Sequence, residues 1–102
     1  MTYARLSIWR FKKGQQQIGL KALYDNYLPK IRTAKSYRGS LHLEDLNDPD
    51  TVVFVTIWAS EEAFSDSMKE IFTQASKDLK DNFMIMPDVS LFKVKSAELF
   101  YE

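Results

Sequence analysis

The single histidine, His42, is the residue in this chain best suited to acid–base chemistry. It lies on the same side of a predicted strand as Ser40 and Glu44. In a cleft, a neutral histidine can take the proton of a phenol, and the resulting phenolate can pass an electron to oxygen without a cofactor. A solvated histidine beside a carboxylate gives the same sequence pattern. The sequence alone leaves both interpretations open.

Aromatic side chains are the second feature with chemical potential. The chain has seven phenylalanines, five tyrosines and two tryptophans, which favours a cavity lined by rings. Trp9 and Trp58 each close an apolar strand, and side-chain alternation predicts that both point towards the helices. They form either a wall that stacks on a flat compound or part of an ordinary core. Phe54, Met68 and Tyr27 are further candidates for substrate contact, Tyr27 through its hydroxyl.

Two polar residues stand where a core is expected. Arg5 and Ser7 alternate with apolar residues on the strand side that should face the helices. A buried charge is costly unless it is paired. We therefore expect that they line a wet, substrate-binding cavity, or that Arg5 reaches out past the edge of the sheet.

Composition argues against several functional classes. The chain has no cysteine and only one histidine, so we expect no thiolate nucleophile and no protein-ligated metal. The 14 basic and 14 acidic residues cancel, which argues against nucleic acid and membrane surfaces as partners. Arg5 and Arg10 interrupt the apolar N-terminal run, which argues against a signal peptide or membrane span. We expect a single domain over residues 1–102 in a soluble, cytoplasmic protein.

The elements that position these residues follow from hydrophobic periodicity. Strands are predicted over residues 3–11, 40–45, 51–58 and 89–94. Turns are predicted over residues 37–39, 47–50 and 84–88. Leu99, Phe100 and Tyr101 form a tail too apolar to be left free.

Two helices complete the pattern. The first is predicted over residues 15–35, on a stripe that includes Ile18, and Pro29 predicts a kink or break near Tyr27–Leu28. The second is predicted from an N-cap at Ser60 along one apolar face as far as Phe83.

This order of elements predicts an α+β, ferredoxin-like βαββαβ fold, with a four-stranded antiparallel sheet and both helices on one face. The opposite face is then bare and too apolar for water. We expect a homodimer, a dimeric α/β barrel, in which two such faces stack. The residues expected on this face are Leu6, Ile8, Val53, Val55 and Ile57.

The segment Trp58-Ala-Ser-Glu-Glu-Ala-Phe64, with Gly14 after the first strand and Gly39 before the second, resembles the antibiotic-biosynthesis-monooxygenase-like family of dimeric α/β barrels. That family includes cofactor-free, quinone-forming oxygenases and haem-degrading enzymes. The resemblance implies that Trp58 matches the pocket tryptophan of the quinone-forming members. Phe64 stands where those enzymes have a tyrosine, and it cannot donate a hydrogen bond.

The haem-degrading branch matches poorly. The positions that correspond to its working residues are Ser7, Ser67 and Lys77, and all three differ. Two hypotheses remain. The first is a cofactor-independent monooxygenase that acts on a small phenol-like or quinone-like compound between sheet and helices, with His42 and Trp58 as catalytic residues and Phe64 among the substrate contacts. The second is a non-catalytic small-molecule-binding or stress-response dimer of the same fold.

Overall fold

The computed structural model of the protein describes residues 1–98, and the apolar tail at residues 99–101 lies outside them. Its strands form one antiparallel sheet in the order β2-β3-β1-β4. The strand bounds are β1 Thr2–Phe11, β2 Tyr37–Asp45, β3 Asp48–Trp58 and β4 Phe83–Val94. With a helical segment after β1 and another after β3, the chain has the predicted α+β, ferredoxin-like βαββαβ fold.

The register of the two central strands separates the sheet faces. Ser7 lies opposite Phe54, and its neighbour Leu6 lies opposite Val55. Because side chains alternate along a strand, Ser7 and Phe54 face the helices, whereas Leu6 and Val55 face the other way. The main core lies on the helix side, where its strand residues are Trp9, Phe11, Val52, Phe54 and Phe83.

The first helical segment changes its hydrogen bonding in front of Pro29. It comprises α1 (Gln16–Ala22), a π-turn (Leu23–Tyr27) and α2 (Leu28–Ile31). In the π-turn the Leu28 N–H donates to the Leu23 carbonyl, five residues back. An α-helix at this point would bring the Pro29 ring against the Asp25 carbonyl. The wider turn relieves that contact, so the irregularity spreads over Leu23–Tyr27 instead of falling near Tyr27–Leu28.

The apolar stripe of this segment also differs from the prediction. Ile18 is half-exposed, and Gly19 occupies the buried position instead. A Cβ at Gly19 would fall 2.2 Å from the Phe11 ring, so the helix approaches β1 more closely than a side chain allows. Beyond the π-turn, Tyr27 and Leu28 are both buried although they are adjacent in sequence.

The second helical segment is two helices, each with its own serine cap. Ser60 caps a 3₁₀ turn (Glu61–Phe64) by accepting from the Glu62 N–H at 3.2 Å. Ser65 then caps α3 (Asp66–Asp78) by accepting from the Met68 N–H at 3.3 Å. The predicted continuous helix to Phe83 is therefore wrong, because the chain is capped again at Ser65 and Phe83 already belongs to β4.

The predicted turns are also shorter in the structure. Residues 37–39 belong to β2, and the hairpin between β2 and β3 has only Leu46 and Asn47 as its turn. Residues 84–88 belong to β4. Pro87 is tolerated there because β4 is an outer strand and its register with β1 shifts between Ile8 and Arg10, a bulge at which no ladder bond is needed.

The sheet face away from the helices is uncovered in the single chain. The five residues expected on it, Leu6, Ile8, Val53, Val55 and Ile57, are all partly exposed. Leu41, Leu43 and Phe92 extend the same face and are 45%, 44% and 50% exposed. Among residues 1–98, no helix has the length and apolar character needed to cross a membrane.

Candidate functional site

A cavity of about 40 Å³ lies between the sheet and the helices. Strands β1 and β3 form its floor, and the π-turn, α2 and α3 form its walls. Seven of the nine candidate site residues line it: Arg5, Ser7, Trp9, Tyr27, Phe54, Trp58 and Met68. The fold therefore brings together most of the side chains selected from the sequence.

Trp58 is both a core residue and a wall of the cavity. Its side chain has no exposed surface, and its indole N–H donates to the Thr56 hydroxyl oxygen at 2.8 Å. Tyr37 packs edge-on against the indole, with ring centres 5.6 Å apart. The two interpretations of Trp58 are thus compatible, because a rigidly packed ring can also present one side to a ligand.

Trp9 forms a second aromatic wall. It is 5% exposed and packs edge-on against Phe83, with ring centres 5.8 Å apart. Its indole nitrogen is buried and has no hydrogen-bond partner among residues 1–98. A buried N–H without an acceptor is costly, so a ligand oxygen or a water that accepted from it would stabilise this site.

Arg5 points inward, not past the sheet edge. Its guanidinium donates to the Ala63 carbonyl at 3.4 Å, and its central carbon lies 5.2 Å from the centre of the Phe72 ring. Burial lowers the pKa of Arg5 from its usual value. In the described part of the chain, ion pairs occur at Arg10–Asp88 and Lys21–Asp25, and Arg5 belongs to neither. The cavity therefore contains a positive charge with no carboxylate beside it.

Two hydroxyls of the cavity, those of Ser7 and Tyr27, are committed to protein acceptors. Ser7 donates to the Phe54 carbonyl at 3.4 Å, and Tyr27 donates to Asp78 Oδ2 at 2.6 Å. Burial, followed by this hydrogen bond and the nearby negative charge, raises the pKa of Tyr27 far above its usual value. Tyr27 therefore stays protonated at neutral pH and is poorly suited to act as an acid or base.

His42 and Phe64 do not line the cavity. His42 lies on the outer strand β2 opposite Phe54, where its Nδ1 is 3.2 Å from the Tyr24 hydroxyl. Its Nε2 is buried and has no partner within residues 1–98. Phe64 packs edge-on against Tyr3, with ring centres 5.2 Å apart. The structure thus places the proposed general base outside the aromatic-lined cavity.

Several lining residues were not among the candidates, including Thr56, Ile71 and Phe72. Signals for them exist in the sequence. Thr56 precedes Trp58 by two positions and so shares its side of β3. Ile71 and Phe72 follow Met68 by three and four positions, the spacing of one helix face.

The cavity is small for a ring compound. Its volume of about 40 Å³ is enough for a few waters, whereas a cavity of about 150 Å³ holds benzene. Entry of an aromatic ring therefore requires side chains on α3 to move. Met68 has a flexible side chain, and Phe72 is only partly buried, so these two residues are the ones best able to yield.

No protein-family model matches the sequence, and a comparison with curated proteins finds no match. Solved structures do match. A protein from Nitrosomonas europaea, proposed to be an antibiotic biosynthesis monooxygenase, superposes with a TM-score of 0.76 at 14% identity, over 92% of this chain and 90% of that chain. A monooxygenase from the gene ActVA-Orf6 of Streptomyces coelicolor, in complex with nanaomycin D, gives 0.73 at 15% identity, over 97% and 92%.

A third similar structure is SnoaB, a cofactor-independent oxygenase from Streptomyces nogalater, with a TM-score of 0.73 at 9% identity, over 94% of this chain and 95% of that chain. The resemblance noted in the sequence is thus confirmed at the level of fold, since the chain has the architecture of antibiotic biosynthesis monooxygenase structures over nearly its full length. Identities this low carry the fold alone, and the chemistry depends on the residues of the cavity.

Proposed function

We propose that the protein is a cofactor-independent monooxygenase that acts on a small phenol-like or quinone-like compound held between sheet and helices. The observation that carries the proposal is the cavity walled by Trp9 and Trp58, in a fold shared with structures named as oxygenases of this type. Flat aromatic walls favour flat substrates.

The proposed reaction converts a ring CH₂ or CH group of the substrate into a carbonyl. The ionised phenol passes electrons to O₂, one oxygen atom enters the substrate as the new carbonyl, and the other leaves as water. All four electrons that reduce O₂ come from the substrate, so no external reductant is needed. Trp9 and Trp58 hold the ring, and the protein contributes position and charge.

We further propose that the protein is a homodimer in which two uncovered sheet faces stack. The partly exposed side chains of Val53, Val55 and Ile57, flanked by Leu41 and Leu43, support this arrangement. Their burial against the same face of a second chain would remove a continuous apolar patch from water. The cavity then lies on the far side of each sheet from the dimer interface.

A second candidate function is ligand binding without turnover. Two observations favour it: His42 lies outside the cavity, and Phe64 lacks a hydroxyl. A binding protein needs only the aromatic walls and the charge of Arg5. This alternative predicts stabilisation of the protein by a ligand that is recovered unchanged.

An oxygen electrode, together with thermal unfolding, separates these functions. The purified protein is mixed with anthrone and with 1-naphthol, and O₂ uptake and quinone formation are recorded against the uncatalysed rate. Turnover that is lost in Trp58→Phe but retained in Leu46→Ala, a change at the fully exposed hairpin tip, supports the monooxygenase. Stabilisation without product supports the binding protein. If no compound is oxidised and none raises the Tm, both proposals fail.

A further inference from the structure

Arg5 is the one cavity residue whose charge the described part of the chain leaves without a counter-ion. Its nearest partners are a carbonyl at 3.4 Å and the face of Phe72. Neither neutralises a positive charge, and a guanidinium taken from water without an anion is costly. The site is therefore incomplete in a way that an anion would correct.

The remaining polar groups indicate the same kind of ligand. Ser7, Tyr27 and Trp58 already donate to protein oxygens. Trp9 is only 5% exposed, and its buried indole N–H has no acceptor within residues 1–98. The unused hydrogen-bonding groups on two residues that line the cavity, Arg5 and Trp9, are thus donors. Ionised oxygens, which only accept hydrogen bonds, are their complement.

We propose that the cavity selects small aromatic anions, with the phenolate or carboxylate oxygen of the ligand paired to Arg5 and a further oxygen accepting from Trp9. This inference rests on the proposed function, because it specifies the substrate class of the same cavity. Arg5 also offers a way to ionise the phenol in a cavity whose described residues include no general base. A positive charge beside a bound phenol favours the ionised form, so the substrate loses its proton to solvent without a general base.

The proposal makes a distinctive prediction for stability. If Arg5 served only the fold, its replacement by methionine would destabilise the protein. If Arg5 is held in place for a ligand, Arg5→Met removes an unpaired charge from a partly buried site and leaves the Tm of the ligand-free protein unchanged or higher. Methionine keeps an unbranched side chain of similar reach, so the packing on Phe72 is largely retained.

Three single-ring probes test ligand selection: 4-nitrophenol, 4-nitrobenzoate and the neutral 4-nitroanisole. The variants are Arg5→Met, Arg5→Lys, which keeps the charge, and Arg38→Met. Arg38 is the control: it is exposed and, within the described residues 1–98, donates only to the Lys35 and Tyr37 carbonyls. Binding is measured by calorimetry and by tryptophan fluorescence. For 4-nitrophenol, the yellow phenolate absorbance is titrated against pH with and without protein.

The wild-type protein is expected to bind the phenolate or the carboxylate about tenfold or more tightly than 4-nitroanisole. It is also expected to lower the pKa of bound 4-nitrophenol. Arg5→Met abolishes both effects and leaves 4-nitroanisole affinity unchanged, Arg5→Lys retains part of them, and Arg38→Met retains them fully. Preference for one of the two anions identifies that oxygen class as the ligand.

Three results overturn the inference, and they are distinguishable. If all three probes bind equally and Arg5→Met alters none of them, Arg5 has no role in selection and the aromatic cavity of the proposed function stands. If Arg5→Met unfolds the protein or lowers its Tm markedly, Arg5 is a structural residue. If no probe binds even at millimolar concentration, the cavity admits no ring, and the proposed function fails together with the inference.

Discussion

The Tyr27 hydroxyl donates to Asp78 Oδ2 at 2.6 Å, and this bond joins the π-turn to the last residue of α3. Tyr27 also lines the cavity, so the bond sets the spacing between two of its walls. Hydrogen bonds from both Tyr27 and Gln74 hold the pKa of Asp78 below its usual value. The carboxylate is therefore ionised at neutral pH and accepts from both groups.

We expect Tyr27→Phe to lower the free energy of unfolding by about 1 kcal/mol, since it removes one hydrogen bond to a charged acceptor and leaves the ring in place. Urea unfolding at pH 7 measures the change. Tyr37→Phe is the matched control, because its hydroxyl makes no hydrogen bond within residues 1–98 and its loss should be nearly neutral. Equal effects of the two variants would contradict the structural role of the bond.

Burial of Tyr27, followed by its bond to Asp78, also affects stability at alkaline pH. The pKa of Tyr27 is higher in the folded than in the unfolded chain, so its contribution is complete below the unfolded value of about 10 and is lost as the pH rises towards the folded value. We expect the wild-type protein to lose stability above about pH 10 more steeply than Tyr27→Phe. Urea midpoints between pH 8 and pH 11 give the comparison; parallel curves would argue against it.

Glu62 contributes to the dependence of protein stability on pH in acid solution. One of its oxygens, Oε1, accepts from the Ser36 N–H at 2.8 Å and from the Ser36 hydroxyl at 2.5 Å, and these bonds lower the pKa of Glu62. Its stabilisation is complete above the unfolded pKa of about 4 and is lost as the pH falls towards the folded value. Glu62→Gln should be less stable at pH 7 and less sensitive to acid below pH 4. Glu61→Gln, next to it in sequence, is the control.

Gly19 tests the close approach of α1 to β1. A Cβ at Gly19 would fall 2.2 Å from the Phe11 ring, whereas a Cβ at Gly39 would meet nothing within 4 Å. Alanine favours helix, which offsets part of the cost, and we expect Gly19→Ala to destabilise the protein by about 1–3 kcal/mol. Gly39→Ala should stay within about 0.5 kcal/mol of the wild type. Thermal or urea unfolding measures the stability of both variants. If neither variant changes the free energy of unfolding, Phe11 moves aside easily.

The dimer proposed above is tested at Val55, which lies between Leu6 and Leu41 on the uncovered face. Val55→Asp would bring unpaired carboxylates into the apolar interface and raise the dimer Kd by about two orders of magnitude. Sedimentation velocity over a dilution series measures this, with Leu46→Asp at the exposed hairpin tip as the control. A wild-type protein that sediments as a monomer at micromolar concentration would remove the dimer.

The fold was predictable because its strands carry a clear period of two. Leu6 and Ile8 alternate with Ser7 and Trp9, and that alternation fixes which side of β1 meets the helices. Helix termini were less predictable. The cap at Ser60 is followed by a second cap at Ser65, and only the three-dimensional course of the chain shows that α3 begins after the second.

The cavity residues that follow from the alternation of side chains along a strand were predictable. Those that depend on how far apart two strands lie in the sheet were not. Arg5, Trp9 and Trp58 share one side of two neighbouring central strands, and the structure brings them together. His42 shares that side too, but β2 is an outer strand, so its side chain meets Tyr24 instead of the cavity. The order of strands in a sheet is a tertiary property that local periodicity does not contain.

The outer strand β4 has a consequence for handling the protein at high concentration. Met84, Ile85 and Met86 are each more than half exposed on consecutive positions, so apolar surface faces water on both sides of this strand. An open strand of this kind is a template for aggregation by edge-to-edge pairing. Pro87 directly follows Met86 and opposes such pairing, because it has no N–H to donate to a neighbouring strand. We therefore expect replacement of Pro87 to make edge-to-edge association of the protein easier at high concentration.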